Sequence, residues 1–178
     1  MAKFDDSLVA VTSRSFSTNQ FLVKKLKESY PNVSLNLTGK TLKENELVKF
    51  LANADKAIVG IEIIDKDILD QLPKLRLISK YGVGLNNLDL GECKKRNIQI
   101  KFQPGSNKQS VAEFTLLLML NSLRQVHNNK TEIIEGNWTQ AKGQELKGKK
   151  IGIIGFGNIG SCLVSLLKPF GNKILLVC

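Results

Sequence analysis

The stretch Lys150-Ile-Gly-Ile-Ile-Gly155-Phe-Gly157-Asn-Ile-Gly160 constrains the fold more than any other part of the chain. Ile151, Ile153 and Ile154 form a short apolar run suited to a parallel strand covered on both faces, and the three glycines that follow stand at G-x-G-x-x-G spacing. Each glycine has its own steric reason. The first permits a tight turn, the second lets backbone approach a pyrophosphate, and the third lets the helix pack closely on the strand. A helical stretch from Asn158 to Phe170 and a second apolar run, Ile174 to Val177, complete a β-α-β unit. In that context the motif predicts a dinucleotide site, with Gly155, Gly157, Asn158, Ile159 and Gly160 presenting free amides of a helix start to the phosphates. The same fingerprint calls for an acid about 20 residues on, to hold the ribose hydroxyls. Cys178 falls in that region, at the position counted with the cofactor-binding residues, and the sequence ends there, so the choice of NAD over NADP stays open.

Upstream, short apolar runs alternate with amphipathic stretches: Leu8 to Val11 then Asn19 to Tyr30, Val33 to Leu37 then Leu42 to Leu51, Ala57 to Val59 then Asp65 to Leu72, Leu75 to Ser79 then Leu88 to Arg96, and finally Ile98 to Phe102. Such a rhythm predicts repeated β-α units around a parallel sheet. The expected fold class is therefore α/β: a flavodoxin-like domain over residues 1–104, followed in 105–178 by a long helix and the first β-α-β unit of a nucleotide domain. Pro104-Gly105 marks the boundary. From Ser110 to Arg124 apolar residues occur almost all round the helix, which predicts burial on every side, between domains or against another subunit. Trp138, on a polar loop, reads either as a core filler or as an anchor for a partner surface.

With 26 basic against 16 acidic side chains the 178-residue chain carries +10, which raises the question of nucleic acid or membrane. The distribution answers it. Residues 1–104 hold 17 basic and 12 acidic side chains and residues 105–178 hold 9 and 4, with no concentrated patch; Lys24-Lys25-Lys27 and Lys94-Lys95-Arg96 fall in amphipathic helical stretches, as solvated faces. No nucleic-acid partner is expected. No membrane partner is expected either, because the run Phe114 to Leu120 is too short to span a bilayer and the start lacks a signal-like apolar segment. Cys93, Cys162 and Cys178 lack metal-ligand spacing and are odd in number, so free thiols, no metal and a cytoplasmic setting are expected.

Several stretches taken together resemble the D-isomer-specific 2-hydroxyacid dehydrogenases, in particular the phosphoglycerate dehydrogenase-like members. Ser79-Lys80-Tyr-Gly82-Val83-Gly84-Leu-Asn-Asn87-Leu-Asp89 is similar to the family's glycine loop, Asn107-Lys-Gln-Ser110-Val-Ala-Glu113 to its helix start, and Gly136-Asn-Trp138, Glu145-Leu-Lys-Gly148-Lys and the Gly155 fingerprint follow in the family's order. Asn86 stands where many relatives carry Asp. The resemblance implies an NAD-dependent oxidation of a small anionic 2-hydroxy acid to the keto acid. It implies substrate contacts from Lys80, Gly82, Val83, Gly84 and Asn107, with Ser110 capping the long helix and Glu113 a paired structural carboxylate. It also implies a homodimer through the Ser110–Arg124 helix and the Trp138 loop. The family's catalytic Arg, and the His paired with an acid, would lie beyond Cys178, and His127 sits in the wrong place to replace that His. The expectation is a C-terminally truncated chain with no catalytic residue of its own; the alternative is a non-catalytic nucleotide-sensing or interaction module on the same fold.

Overall fold

A computed structural model describes residues 5–138 and 141–177. The chain divides into two compact units, one up to Pro104 and one from Gly105.

In the first unit five strands, β1 (Val9–Val11), β2 (Val33–Leu35), β3 (Lys56–Val59), β4 (Leu77–Lys80) and β5 (Gln99–Lys101), form one sheet in the order β2-β1-β3-β4-β5. Every pairing is parallel, as strands joined through helical crossovers must be. Its helices are α1 (Arg14–Ser17), α2 (Gln20–Ser29), α3 (Glu44–Leu51), α4 (Lys66–Asp70) and α5 (Leu90–Lys95). Local chemistry sets where several of them start: Asn19, Asp65 and Asp89 each accept a hydrogen bond from the amide three residues on, the usual end-capping arrangement. Leu47 and Leu51 of α3, Ile68 and Leu69 of α4, Ala57 and Val59 of β3 and Ile78 of β4 close one apolar core. The four-residue helix α1, directly after β1, was not legible in the hydrophobic pattern, because Arg14-Ser-Phe-Ser17 is too short to show a period.

The strand order places a switch point between β1 and β3. From there β1-β2 runs one way and β3-β4-β5 the other, and the carboxyl ends on either side leave a crevice. Thr12, immediately after β1, donates its amide to the Ile58 carbonyl at 2.9 Å, and Tyr81 after β4 donates to Val59 at 2.8 Å, so the ladder reaches the rim of that crevice.

The second unit contains α6 (Lys108–Arg124), α7 (Val126–Ile134), β6 (Lys150–Ile154), α8 (Asn158–Leu167), a single 3-10 turn (Lys168–Phe170) and β7 (Lys173–Val177). β6 and β7 pair in parallel with Ile151 opposite Ile174, and α8 forms the crossover. Ala112, Leu146, Ile151, Ile153, Leu163 and Leu167 make its core, with Leu116, Met119, Leu120 and Leu123 packed against it. Asn172 donates to the Leu146 carbonyl at 2.6 Å, tying the approach of β7 to the loop before β6.

Of the residues of α6 only Ala112 is buried, whereas Phe114, Leu117 and Leu118 are about half exposed or more, so its own chain covers one face of the helix. One expectation for α6 is corrected. Ser110 does not cap the helix: α6 begins at Lys108 with Asn107 in the cap position, and the Ser110 hydroxyl donates back to the Asn107 carbonyl at 3.1 Å from within the first turn. A serine inside the first turn has that carbonyl in reach, while the orphan amides lie behind it. Glu113 accepts from Gln109 at 2.6 Å on an exposed face, and Trp138 is exposed and not a core filler.

Ile78, fully enclosed on the interior strand β4, is the clearest probe of the first core. Ile78→Ala should lower the stability of that unit by about 2–5 kcal/mol. A urea titration followed by far-ultraviolet circular dichroism would show it as an earlier transition; an unmoved midpoint would contradict this account of the core.

Candidate functional site

In the second unit β6 alternates enclosed Ile151 and Ile153 with solvent-facing positions, which orients the strand and delivers its carboxyl end to the glycine turn. Gly155 has φ +87°, a left-handed conformation that side chains resist, and its amide is held by the Val177 carbonyl at 2.8 Å. Gly157 is the cap residue of α8, in extended conformation and with no side-chain cap bond. Gly160 meets the turn tightly: a Cβ there would lie 2.6 Å from the Gly155 carbonyl oxygen. Around Gly157, by contrast, nothing lies within 4 Å of where a Cβ would be.

This geometry fits a diphosphate. The amides of Asn158, Ile159 and Gly160 start a ten-residue helix and have no acceptor among the described residues, and the space over Gly157 is open to a group approaching them. Helix-start amides and the positive end of the helix dipole favour an anion there. The Asn158 carboxamide packs on Gly105, where a Cβ would come within 2.9 Å of its Cγ, so Gly105 is required at the beginning of the unit for packing as well as for its φ of +71°. Cys178 lies outside the described residues.

In the first unit the loop after β4 carries the second set of candidates. Gly82 has φ +139°, and the amides of Gly82, Val83 and Gly84 have no acceptor among the described residues. The Lys80 ammonium lies 3.9 Å from the position of a Cβ on Gly82 and donates a hydrogen bond to the Gly60 carbonyl. Free amides beside a cation form an anion-binding concavity. Burial pushes the Lys80 pKa below the ordinary lysine range, and the Glu62 carboxylate opposes that shift.

Glu62 is the residue that sequence reasoning missed. It is 2% exposed, yet it carries an acid into the core at the carboxyl end of β3. Its Oε2 accepts from the Thr12 hydroxyl at 2.8 Å and from the Gly60 amide at 2.9 Å, which offsets part of the desolvation that a buried carboxylate suffers. Asn87, in the glycine-loop motif, donates to the Gly60 and Glu62 carbonyls. The available signal was an inverted pattern: Ile61 and Ile63, flanking Glu62, are about two-thirds exposed while the acid points inward. A cleft of about 430 Å³ opens beside it, lined by Ser13, Arg14, Gly60, Glu62 and Tyr81 among others.

Lys80, Gly82, Val83 and Gly84 are thus brought together in one unit, and Gly155, Gly157, Asn158, Ile159 and Gly160 in the other. Asn107 begins α6, and its Oδ1 is buried without a hydrogen-bond partner among the described residues. His127 is exposed on α7. Cys93 is a buried free thiol and Cys162 a half-buried one. No group of three or more His, Cys, Asp or Glu among the described residues is arranged for a metal, and no helix there is long and apolar enough to cross a membrane.

Comparison with known proteins places this geometry in a context. Residues 9–163 match the family model for the D-isomer specific 2-hydroxyacid dehydrogenase catalytic domain. A hydroxypyruvate reductase of Thermotoga maritima is 35% identical over 144 residues, covering 79% of this chain and 47% of the relative. A D-3-phosphoglycerate dehydrogenase of Methanocaldococcus jannaschii is 33% identical over 138 residues, covering 75% and 26%. The crystal structure of a D-lactate dehydrogenase from Aquifex aeolicus, complexed with NAD and lactic acid, superposes with a TM-score of 0.74 at 26% identity, over 95% of this chain and 50% of that one. A D-isomer specific 2-hydroxyacid dehydrogenase from Polaromonas sp. JS6 66 superposes with a TM-score of 0.87 at 23% identity, over 97% and 55%, and speaks to the fold alone. The chain spans about half the length of these structures.

Two outcomes test the site geometry. Gly160→Ala drives a methyl into the Gly155 carbonyl, so despite alanine's helix propensity, favourable by roughly 1 kcal/mol, a net loss of about 1 kcal/mol or more is expected from overpacking; thermal denaturation of the second unit reads it, and unchanged melting would refute the close approach. At Lys80 only the protonated ammonium attracts an anion. Binding that depends on it is full below the lowered pKa and is lost as pH rises through it, sooner than for an exposed lysine. D-lactate titrations followed by NMR should therefore weaken at an alkaline pH where Lys80→Arg, always charged, still binds; superimposable profiles would refute the role.

Proposed function

The chain belongs to the D-isomer specific 2-hydroxyacid dehydrogenase family, and we propose that it carries the substrate side and part of the cofactor side of an NAD-dependent oxidation of a D-2-hydroxy acid to the 2-keto acid. In this reading the unit up to Pro104 binds substrate and the unit from Gly105 binds NAD. Gly157, with its open space beneath free helix-start amides, is the observation that carries the reading. Gly155, Asn158, Ile159 and Gly160 shape the same cradle, and bound NAD supplies the acceptor for hydride from the hydroxyl-bearing carbon.

On the substrate side, the amides of Gly82, Val83 and Gly84 and the Lys80 ammonium receive the carboxylate, and Asn107 contributes a polar contact or braces the start of α6. The substrate is small and anionic, phosphoglycerate-like. A proton-transfer group must reach its proton at hydrogen-bond distance, and we assign that role to no residue of this chain. His127 sits in another setting, beside a shallow cleft with Asn121 and Gln125 on α6 and the α6–α7 junction. These 178 residues are therefore expected to bind and not to turn over. Phe114, Leu117 and Leu118 on α6, with exposed Trp138, form the apolar surface we assign to a homodimer contact.

NADH fluorescence titration tests the cofactor half. Gly157→Ala adds a methyl where nothing else stands within 4 Å, so melting should be unchanged while NADH affinity drops by about tenfold, the equivalent of about 1.4 kcal/mol. Equal affinities for the two proteins would remove the cradle assignment. Appreciable oxidation of D-3-phosphoglycerate or D-lactate by the purified chain would show that it does contain an acid–base group.

A further inference from the structure

Glu62 holds a charge that its own hydrogen bonds do not require. The side chain is 2% exposed, and a single oxygen, Oε2, accepts from both the Thr12 hydroxyl at 2.8 Å and the Gly60 amide at 2.9 Å. The carboxamide oxygen of a glutamine would satisfy those two donors with a far smaller desolvation penalty. No ion pair offsets the charge among the described residues. What the charge acts on is the Lys80 ammonium, across Gly60. The amide of that residue donates to Oε2, while its carbonyl accepts from Lys80 Nζ and, at 3.4 Å, from the Asn87 carboxamide. A Cβ on Gly60 would stand 3.3 Å from Oε2 and 3.3 Å from the Ser13 Cβ, tighter than ordinary contact, so the carboxylate closes on bare backbone. Lys80 Nζ in turn lies 3.9 Å from where a Cβ on Gly82 would be. Among the other charged or titratable groups nearby, Arg14 and Tyr81 line the cleft beside Glu62, Lys101 lies on the neighbouring strand β5, and Asp89 is turned to the start of α5, where it accepts from the Glu92 amide.

We propose that Glu62 is a positioning residue for the carboxylate site: through the backbone of Gly60 it fixes the Lys80 ammonium beside the Gly82–Gly84 amides, and its negative charge keeps a cation there. It acts through Lys80 and touches no substrate atom. Burial disfavours the charged lysine and the buried acid opposes that effect, so the site holds its cation to a higher pH than it otherwise would. The same carboxylate repels an anionic ligand. Glu62 therefore lowers affinity where Lys80 is protonated in any case, and raises it where Lys80 would otherwise be neutral. The inference rests on the assignment of the Gly82–Gly84 loop to the substrate carboxylate.

The test uses the whole chain with isotope-labelled lysine and glycine, the Lys80 signal being the one lost in Lys80→Arg, and follows its titration by NMR with no ligand present. Glu62→Gln keeps an acceptor for Thr12 and Gly60 and removes the charge alone. Its Lys80 midpoint should fall by about one pH unit. D-lactate titrations should then show Glu62→Gln binding more tightly than the unmodified chain where both lysines are protonated, and more weakly above both midpoints, so that the two pH profiles cross. A residue that merely braced the fold would weaken binding by one factor at every pH. Should Glu62→Gln fail to fold, the unmodified chain decides: the Gly60 amide and carbonyl, bonded to Glu62 and Lys80, should move with the Lys80 midpoint, and a Gly60 unmoved through that titration overturns the proposal. An unchanged Lys80 midpoint in folded Glu62→Gln, or profiles that do not cross although D-lactate binds, overturns it as well and leaves the carboxylate loop standing. If the midpoint falls and D-lactate binds neither protein, the loop assignment is lost while the hold of Glu62 on Lys80 stands.

Discussion

The buried carboxylate of Glu62 is the joint on which the substrate side of this protein turns. By accepting from the Thr12 hydroxyl and the Gly60 amide it ties the end of β1 to the end of β3, the two strands that diverge in topology at that point. An acid this enclosed persists only if its partners satisfy it. That requirement holds Gly60 in register. Gly60 in turn presents its carbonyl to Lys80, and Lys80 lies beside the Gly82 backbone. A chain of polar contacts thus runs from the sheet interior to the candidate carboxylate loop, with Asn87 bracing the carbonyls of Gly60 and Glu62 from the far side.

The nucleotide side depends on a different constraint, the absence of side chains. Gly160 lets α8 come within contact of the carbonyl that ends the turn, Gly155 takes a conformation of positive φ, and Gly157 leaves the helix start bare. These are three separate steric demands met within six residues, and none of them is a binding contact in itself. Their joint product is a row of amides with no acceptor among the described residues, facing open space. Shape there is specified by what is missing, whereas at Glu62 it is specified by what must be satisfied.

Much of the architecture was legible in the residues. The alternation of apolar runs with amphipathic stretches marked every strand of both units, because the two-residue and 3.6-residue periods differ sharply over such lengths. Helix starts at Asn19, Asp65 and Asp89 carry their own capping side chains. At α6 the reading failed once: the residue pattern places Ser110 as a cap, but the helix begins two residues earlier. The all-round apolar pattern says that every face should be covered, and this chain by itself covers one side.

By itself the sequence determined the period of each element, their order, and the three glycine positions that make the turn after β6, since these are local properties of backbone sterics and hydrophobic repeat. Tertiary structure alone decided which side chains meet. Thr12 and Glu62 are 50 residues apart, and Arg14 shares a cleft with Gly60 and Tyr81, only because β1 lies between β2 and β3 and all the strands point the same way. Strand order is set by the cooperative burial of both sheet faces, a property of the whole sheet that no local pattern records, so a buried acid between two exposed isoleucines becomes intelligible only when its neighbours across the switch point are in place.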